Sequence, residues 1–327
     1  MTGPASPTGT TVRAAAPAAG PDRPPTAPAG RARDARPAGP GVRVAATALS
    51  ILAALLLGFV ADVGVLSDVR HTRDRQVDYA TLRGDLANGT APVGPSAPGT
   101  AADAGPGVKP FTSGALIGVL SIPSLHVREV VHEGTTSRIL ARGPGHRRDT
   151  PLPGQAGVSV IMGRQATYGG PFRRLHELRA GQTFTVTTGQ GTARYRVLGV
   201  RRGGDPQPSP LAAGAGRLTL ITADGTPFMP RGILRVDADL VSTAQPASAP
   251  AVASGALPAD EKPMAVQGDG WLPLVLWGQA LVLAAAALTW AHLRWGRPHT
   301  WVVGVPLLAL LGLLVADDVA LLLPNSM

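Results

Sequence analysis

The sequence contains no cysteine. That excludes disulfides, thiolate metal sites and a cysteine nucleophile together, and it leaves the redox compartment undetermined. Lysine is nearly missing too: of 30 basic residues only Lys109 and Lys262 are lysine, the rest being arginine. Set against 21 acidic residues, this gives a formal net charge of +9, a balance that suits nucleic acid, anionic lipid or a cell-wall polymer. Aromatic residues make up 4% of the chain, and neither a basic–aromatic platform nor a nucleic-acid motif is present, so nucleic acid is not an expected partner. The seven histidines are scattered and the acids form no ligand-like cluster, so no metal and no cofactor is expected.

What is present divides the 327 residues into stretches of different character. Gly 41 and Pro 32 are high counts, and much of both lies where no core can be packed. Residues 1–42 are mostly Ala, Pro, Gly, Thr and Arg, which cannot repay the entropy of ordering and are expected to form a disordered cytoplasmic tail. Residues 43–66 hold a first transmembrane helix, because 44–61 are uncharged and mostly apolar over a length that crosses a hydrocarbon core. A cleaved signal peptide is the alternative, but the charged region ahead is long and no small-x-small cleavage site follows. Residues 67–111 read as a juxtamembrane helix and a Gly/Pro/Ala linker, and 243–270 as a second linker. Two more apolar spans, 271–293 and 300–323, are joined by a short turn carrying Arg294 and Arg297. The arginines before the first span and those in this turn agree on one topology: N-terminus inside, three spans, and everything between the first and second outside the membrane.

That outer segment, 112–242, reads as all-β. "ALIGVLSI", "VREVVHE", "GVSVIMG", "QTFTVTT", "ARYRVLGVRR", "RLTLITA" and "GILRVDADLV" mostly alternate with period two and end at Gly, Pro or Asp. About eight short strands predict a closed β-barrel. "PFRRLHELRAG" is the one helix candidate inside it.

The landmarks "GVLSIPSLHVREVVHEGT", "LARGPGHRRDTPLPGQAG", "MGRQATYGGPFRRLHELRAGQTFTV", "YRVLGV", "LTLITADG" and "RGILRVDADLV" resemble those of the sortases, cysteine transpeptidases that anchor surface proteins to Gram-positive cell walls. Order and spacing follow the family over about 130 residues, and the Tyr-Gly-Gly-Pro-Phe loop resembles the actinobacterial class E type. The resemblance implies a sortase-like barrel, a cysteine that attacks a Thr–Gly peptide carbonyl, a proton-moving histidine and an arginine on the last strand that steadies the oxyanion. On this chain the cysteine position is Ala223 and the histidine position is Arg164. Alanine has no lone pair to attack with, and arginine does not give up its proton near neutral pH.

Four residues are candidates for lining the groove: Arg231, Arg235, His146 and Tyr168. Arg231 and Arg235 stand four apart on one strand, so either can serve as the family's arginine; strict spacing places that position between them, at Ile233. His146 matches a second histidine carried by many members, which is not the proton shuttle. Thr222 neighbours Ala223 and is expected to point to the opposite face. For Arg164 itself two roles compete: a cation for a carboxylate or phosphate in the groove, or a filler of the abandoned histidine site paired with an acid such as Asp224. Asp317 lies sixteen residues beyond Trp301, about 24 Å along a helix and so near the outer boundary.

Three functions compete. The first is a membrane-anchored, catalytically silent sortase-like protein that binds a peptide, a sorting signal or a protein partner at the wall face. The second is a working hydrolase or transpeptidase with a noncysteine nucleophile. The third is a structural membrane subunit.

Overall fold

Alternation of side-chain character sets the strands. In β5 (Thr183–Thr188) and the first half of β6 (Gly191–Arg201) every second residue is buried and the others are more exposed, as a sheet with one face on a core requires. The computed structural model describes residues 9, 39–61, 67–92, 112–247, 250–253, 255–266, 268, 271–295 and 297–327. Contacts divide the chain into residues 1–43 and 44–327, and all packing discussed below lies in the second unit. The expected tail (1–42) and most of the first linker fall outside the described residues.

Six further strands are β1 (Leu116–Ile122), β2 (Val127–Glu133), β3 (Gly145–His146), β4 (Gly157–Met162), β7 (Gly216–Thr226) and β8 (Met229–Leu240). They close into a barrel in the order β1-β2-β3-β4-β7-β8-β6-β5, with β5 returning to β1. The eight-stranded closed barrel is therefore the architecture anticipated from the sequence. Its interior holds Leu120, Ile122, Phe184, Val186, Tyr195, Leu218, Leu220 and Val236 among others. The Phe184 and Tyr195 rings stack at 5.5 Å, and the Tyr195 hydroxyl, whose pKa burial pushes up, accepts the Gly154 N–H at 2.6 Å.

Strand β7 departs from the alternating pattern, its first eight residues being buried without interruption. Leu218 and Leu220 face the interior, while Ile221 joins Leu140, Val160 and Met162 in a second apolar cluster. A strand covered on both faces loses its alternation. The expected helix within "PFRRLHELRAG" is instead a single 3-10 turn, Leu175–Glu177, bounded by Arg174 and Leu178 in non-helical conformations. Its few apolar residues, Phe172, Leu175 and Leu178, all enter the barrel core, and that packing decides the backbone.

Helix α1 covers Pro40–Ala61 and α2 covers Ser67–Ala87. The latter lies against β1 and β2, where Leu82 is fully buried. Charged pairs complete that contact: His71 and Arg75 reach Glu129 at 3.2 and 3.4 Å, and Asp78 reaches His132 at 2.9 Å and Arg142 at 2.8 Å. Helix α3 is a single turn, Ser137–Leu140, capped by the Thr136 hydroxyl.

Helices α4 (Trp271–Trp295) and α5 (Arg297–Leu322) form a hairpin, close enough that a Cβ on Gly304 would meet Leu288 at 2.9 Å. Their apolar windows, Trp271–Ala291 and Val302–Leu322, have mean hydropathies of 1.8 and 2.2. Among the described residues these two helices, not the expected three, are long and apolar enough to cross a membrane. The 22-residue α1 is helical as anticipated, but several of its side chains lie outside the described set. The described parts of 243–270, read as a linker, lie against the barrel: Gln245 bridges Gln155, the Val252 N–H donates to the Arg148 carbonyl at 3.0 Å, and Glu261 is buried against Arg148.

Candidate peptide groove at the ends of β4 and β7

Strands β4 and β7 run parallel, with Met162 beside Ile221, so the loop after β4 emerges beside the last part of β7, which continues paired with β8. The Gly163 N–H still donates to the Ile221 carbonyl at 3.0 Å. Glycine is required there, since a Cβ would stand 2.6 Å from the Phe172 ring. Beyond it the loop folds back, with the Phe172 N–H donating to the Arg164 carbonyl at 3.1 Å. Tyr168, Gly169 and Gly170 take positive φ in sequence. Gly169 packs directly on His71 of α2, and its N–H donates to Asp68 at 2.9 Å.

Arg164 is fully buried, with 0% of its surface exposed. One terminal nitrogen donates to the Thr167 hydroxyl at 3.0 Å and the other to the Ser137 carbonyl at 2.9 Å, while the guanidinium carbon lies 5.0 Å from the centre of the Tyr168 ring. Its Nε has no hydrogen-bond partner, and no acid pairs with it among the described residues. Burial pulls its pKa down to about 10, which leaves it charged at neutral pH. The acid proposed for it, Asp224, is held instead by Arg202 at 3.1 Å. Arg164 is closed off from solvent, as a filler of the site would be and unlike a cation open to a ligand, but it has no paired acid among the described residues.

Ala223 sits across β7–β8 from Ile233, the position that strict family spacing assigns to the arginine. Arg235 is opposite Ile221 and is half-buried near Arg201, Asp237 and Arg147; its pKa is lowered, first by burial and then by Arg201. Between Asp224 and Gly225 the register slips, pairing Gly225 with Pro230 and Asp224 with Gly232. Arg231 is thus the extra residue of a bulge and is exposed, so the shared face expected from its four-residue spacing to Arg235 is interrupted. His146 is not a groove residue: it is 1% exposed, with Nδ1 2.8 Å from Glu133 and Nε2 3.0 Å from the Pro151 carbonyl. Thr222 is buried on the side expected from alternation, and neither its hydroxyl nor that of Ser159 has a partner.

Three residues missed by sequence reasoning complete the site. After α5, Asn325, Ser326 and Met327 lie in the groove at 0%, 0% and 5% exposure. The Ser326 carbonyl accepts both the Ala223 and the Gln165 backbone N–H, each at 3.2 Å. The Met327 carbonyl accepts the Thr167 hydroxyl at 3.1 Å. The Asn325 amide nitrogen faces three carbonyls, those of Thr135 at 2.9 Å, Lys262 at 2.9 Å and Asp260 at 3.3 Å, and its backbone N–H donates to Ala265 at 2.9 Å. The groove is therefore walled by the loop after β2, the Arg164 loop, the end of β7 and the 260–265 segment. Two amide donors converging on one carbonyl oxygen form an arrangement suited to an oxygen that carries or develops negative charge. Of the expected site residues, Arg164, Ala223 and Tyr168 come together here.

Residues 120–234 match the model of the sortase domain family. More particularly, over 90 residues the chain is 32% identical to Sortase D of Bacillus subtilis (strain 168), a match covering 28% of this chain and 43% of that relative. The match thus spans less than half the length of that curated relative. Among solved structures, Sortase E1 from Streptomyces coelicolor with a tripeptide in the active site is 25% identical, covering 39% of this chain and 88% of that one with a TM-score of 0.35. A Clostridium perfringens Sortase D5 transpeptidase is 24% identical, covering 40% of this chain and 82% of that one, also with a TM-score of 0.35.

Proposed function

We propose that this protein is a membrane-anchored, non-catalytic sortase-like protein of class E-like type whose external barrel binds an extended peptide or protein segment. One observation carries the reading. Where transpeptidation needs a nucleophile and a proton shuttle stand Ala223 and a buried, charged Arg164, while the backbone donors of the same site hold a peptide carbonyl. Binding geometry has outlived the chemistry. Loss of the nucleophile from a coupled catalytic group removes most of the rate advantage, on the order of a million-fold in a well-studied protease. Among the described residues the hydroxyls nearest Ala223 in sequence or space offer no nucleophile–base pair: Thr167 already donates to Met327, and Thr222 is buried without a partner.

The arginines ahead of the first apolar stretch and those at Arg294 and Arg297 support a cytoplasmic N-terminus with the barrel outside the membrane. The ligand on that side is a peptide or a surface-protein sorting signal at the cell wall. The test uses the full chain in detergent, assayed for transpeptidation and hydrolysis of sorting-signal peptides beside the Arg164→His, Ala223→Cys double variant. We expect the native chain to be silent and the variant to turn over. Turnover by the native chain removes the non-catalytic reading.

A further inference from the structure

We propose that the groove is a gated peptide site whose resting occupant is this chain's own Asn325–Met327, which an incoming peptide must displace. The inference rests on the reading of the groove as a peptide-binding site and adds what fills it and how it is regulated.

The mode of capture argues that the segment is held as a ligand. Ser326 presents its carbonyl to the two backbone donors at the β7 end, Ala223 and Gln165, the position that a bound peptide's reactive carbonyl would take. Asn325 enters a pocket rimmed by three carbonyls, which calls for a neutral side chain with more than one N–H to give. The pocket therefore selects a peptide carrying a primary amide followed by a small hydroxyl residue. With the segment in place, the Ala223 N–H cannot be reached from solvent, because both Ala223 and Ser326 are buried.

The fit is also incomplete, as a displaceable occupant requires. The Asn325 Oδ1 is buried without a partner, and so is the Arg164 Nε beneath the Thr167 hydroxyl that holds Met327. A buried polar atom without a partner weakens the state that contains it, so the closed form is held less firmly than its count of hydrogen bonds implies. Tethering compensates. The segment follows α5 directly, and so competes with any free peptide at a high effective concentration.

The test measures binding of a fluorescent Leu-Pro-Asn-Ser-Met peptide, the sequence of residues 323–327, to the full chain in detergent, to a chain lacking residues 324–327, and to full-length Asn325→Ala. A reversed-sequence peptide serves as the control. We expect the shortened chain to bind at least about ten-fold more tightly than the full chain, with Asn325→Ala between them. Equal affinity in the three proteins overturns the gate and leaves the peptide-binding reading standing. Absence of binding to a shortened chain whose thermal unfolding remains cooperative overturns both. Should the shortened chain fail to fold, Asn325→Ala carries the same comparison: binding no tighter than the native chain overturns the gate.

Discussion

Arg164 carries a charge that folding has closed off from solvent without supplying an acid among the described residues. Two hydrogen bonds and the face of Tyr168 offset part of that cost, but a buried, unpaired ion is among the most unfavourable contents of a core. We expect Arg164→Met, which keeps the length and drops the charge, to raise unfolding stability by about 1–3 kcal/mol in chemical denaturation. A fall would show that the bonds to Thr167 and Ser137 outweigh the desolvation. The family resemblance drew attention to Arg164 and Ala223, which the structure brings to one site. What it did not give was their surroundings. The Ser137 carbonyl lies 27 residues upstream and the Met327 carbonyl 160 residues downstream of the side chains they meet, beyond what local pattern can carry.

Among elements, α2 and the barrel meet through ion pairs that respond to pH. Burial raises the pKa of Asp78, but the hydrogen bond and charge of His132, together with Arg142, outweigh it, and the net shift is downward. A carboxyl depressed in the folded state contributes stability that is complete above its unfolded pKa, about 3.9, and is lost as pH falls through the folded value. Glu261 has the opposite sign: burial, only partly opposed by Arg148, raises its pKa, so its contribution is present at low pH and lost as pH climbs through the raised value. Unfolding free energies measured from about pH 2 to pH 7 should fall steeply at the acid end for the native chain and less so for Asp78→Asn. An unchanged acid limb in that variant would mean the pair is not holding α2.

The seven longer strands were legible because β5 and β6 keep one face dry, the others carry short apolar runs, and turn residues bound them. Strand β3 was not, since two residues, Gly145 and His146, give no period. The packing of the described parts of 243–270 escaped notice for a different reason: its contacts are mostly backbone to backbone, such as Val252 to Arg148, and leave no apolar stripe in the sequence. The turn at 175–177 misled because its apolar spacing suits a helix as well as a loop pinned at three points.

At the scale of the molecule, α5 is fastened to the barrel side twice, by Asp317 to Arg70 of α2 and by Asn325–Met327 in the groove. Both members of the Arg70–Asp317 pair are about 40% exposed, so the pair adds little to overall stability. Its effect is on the depth at which α5 ends. We expect Asp317→Leu to leave global unfolding nearly unchanged and to speed amide hydrogen exchange at residues 325–327, read by mass spectrometry on the detergent-solubilised chain. Unaltered exchange there would show that the groove alone sets the position of the segment.

The plug also imposes an order in time. Synthesis runs from α2 through the barrel, which ends at Leu240, to the α4–α5 hairpin, so the barrel leaves the ribosome well before Asn325–Met327, the residues that will close it. Until the end of α5 has swung into place, a newly made copy stands open. A nascent chain therefore displays a site that the folded protein conceals.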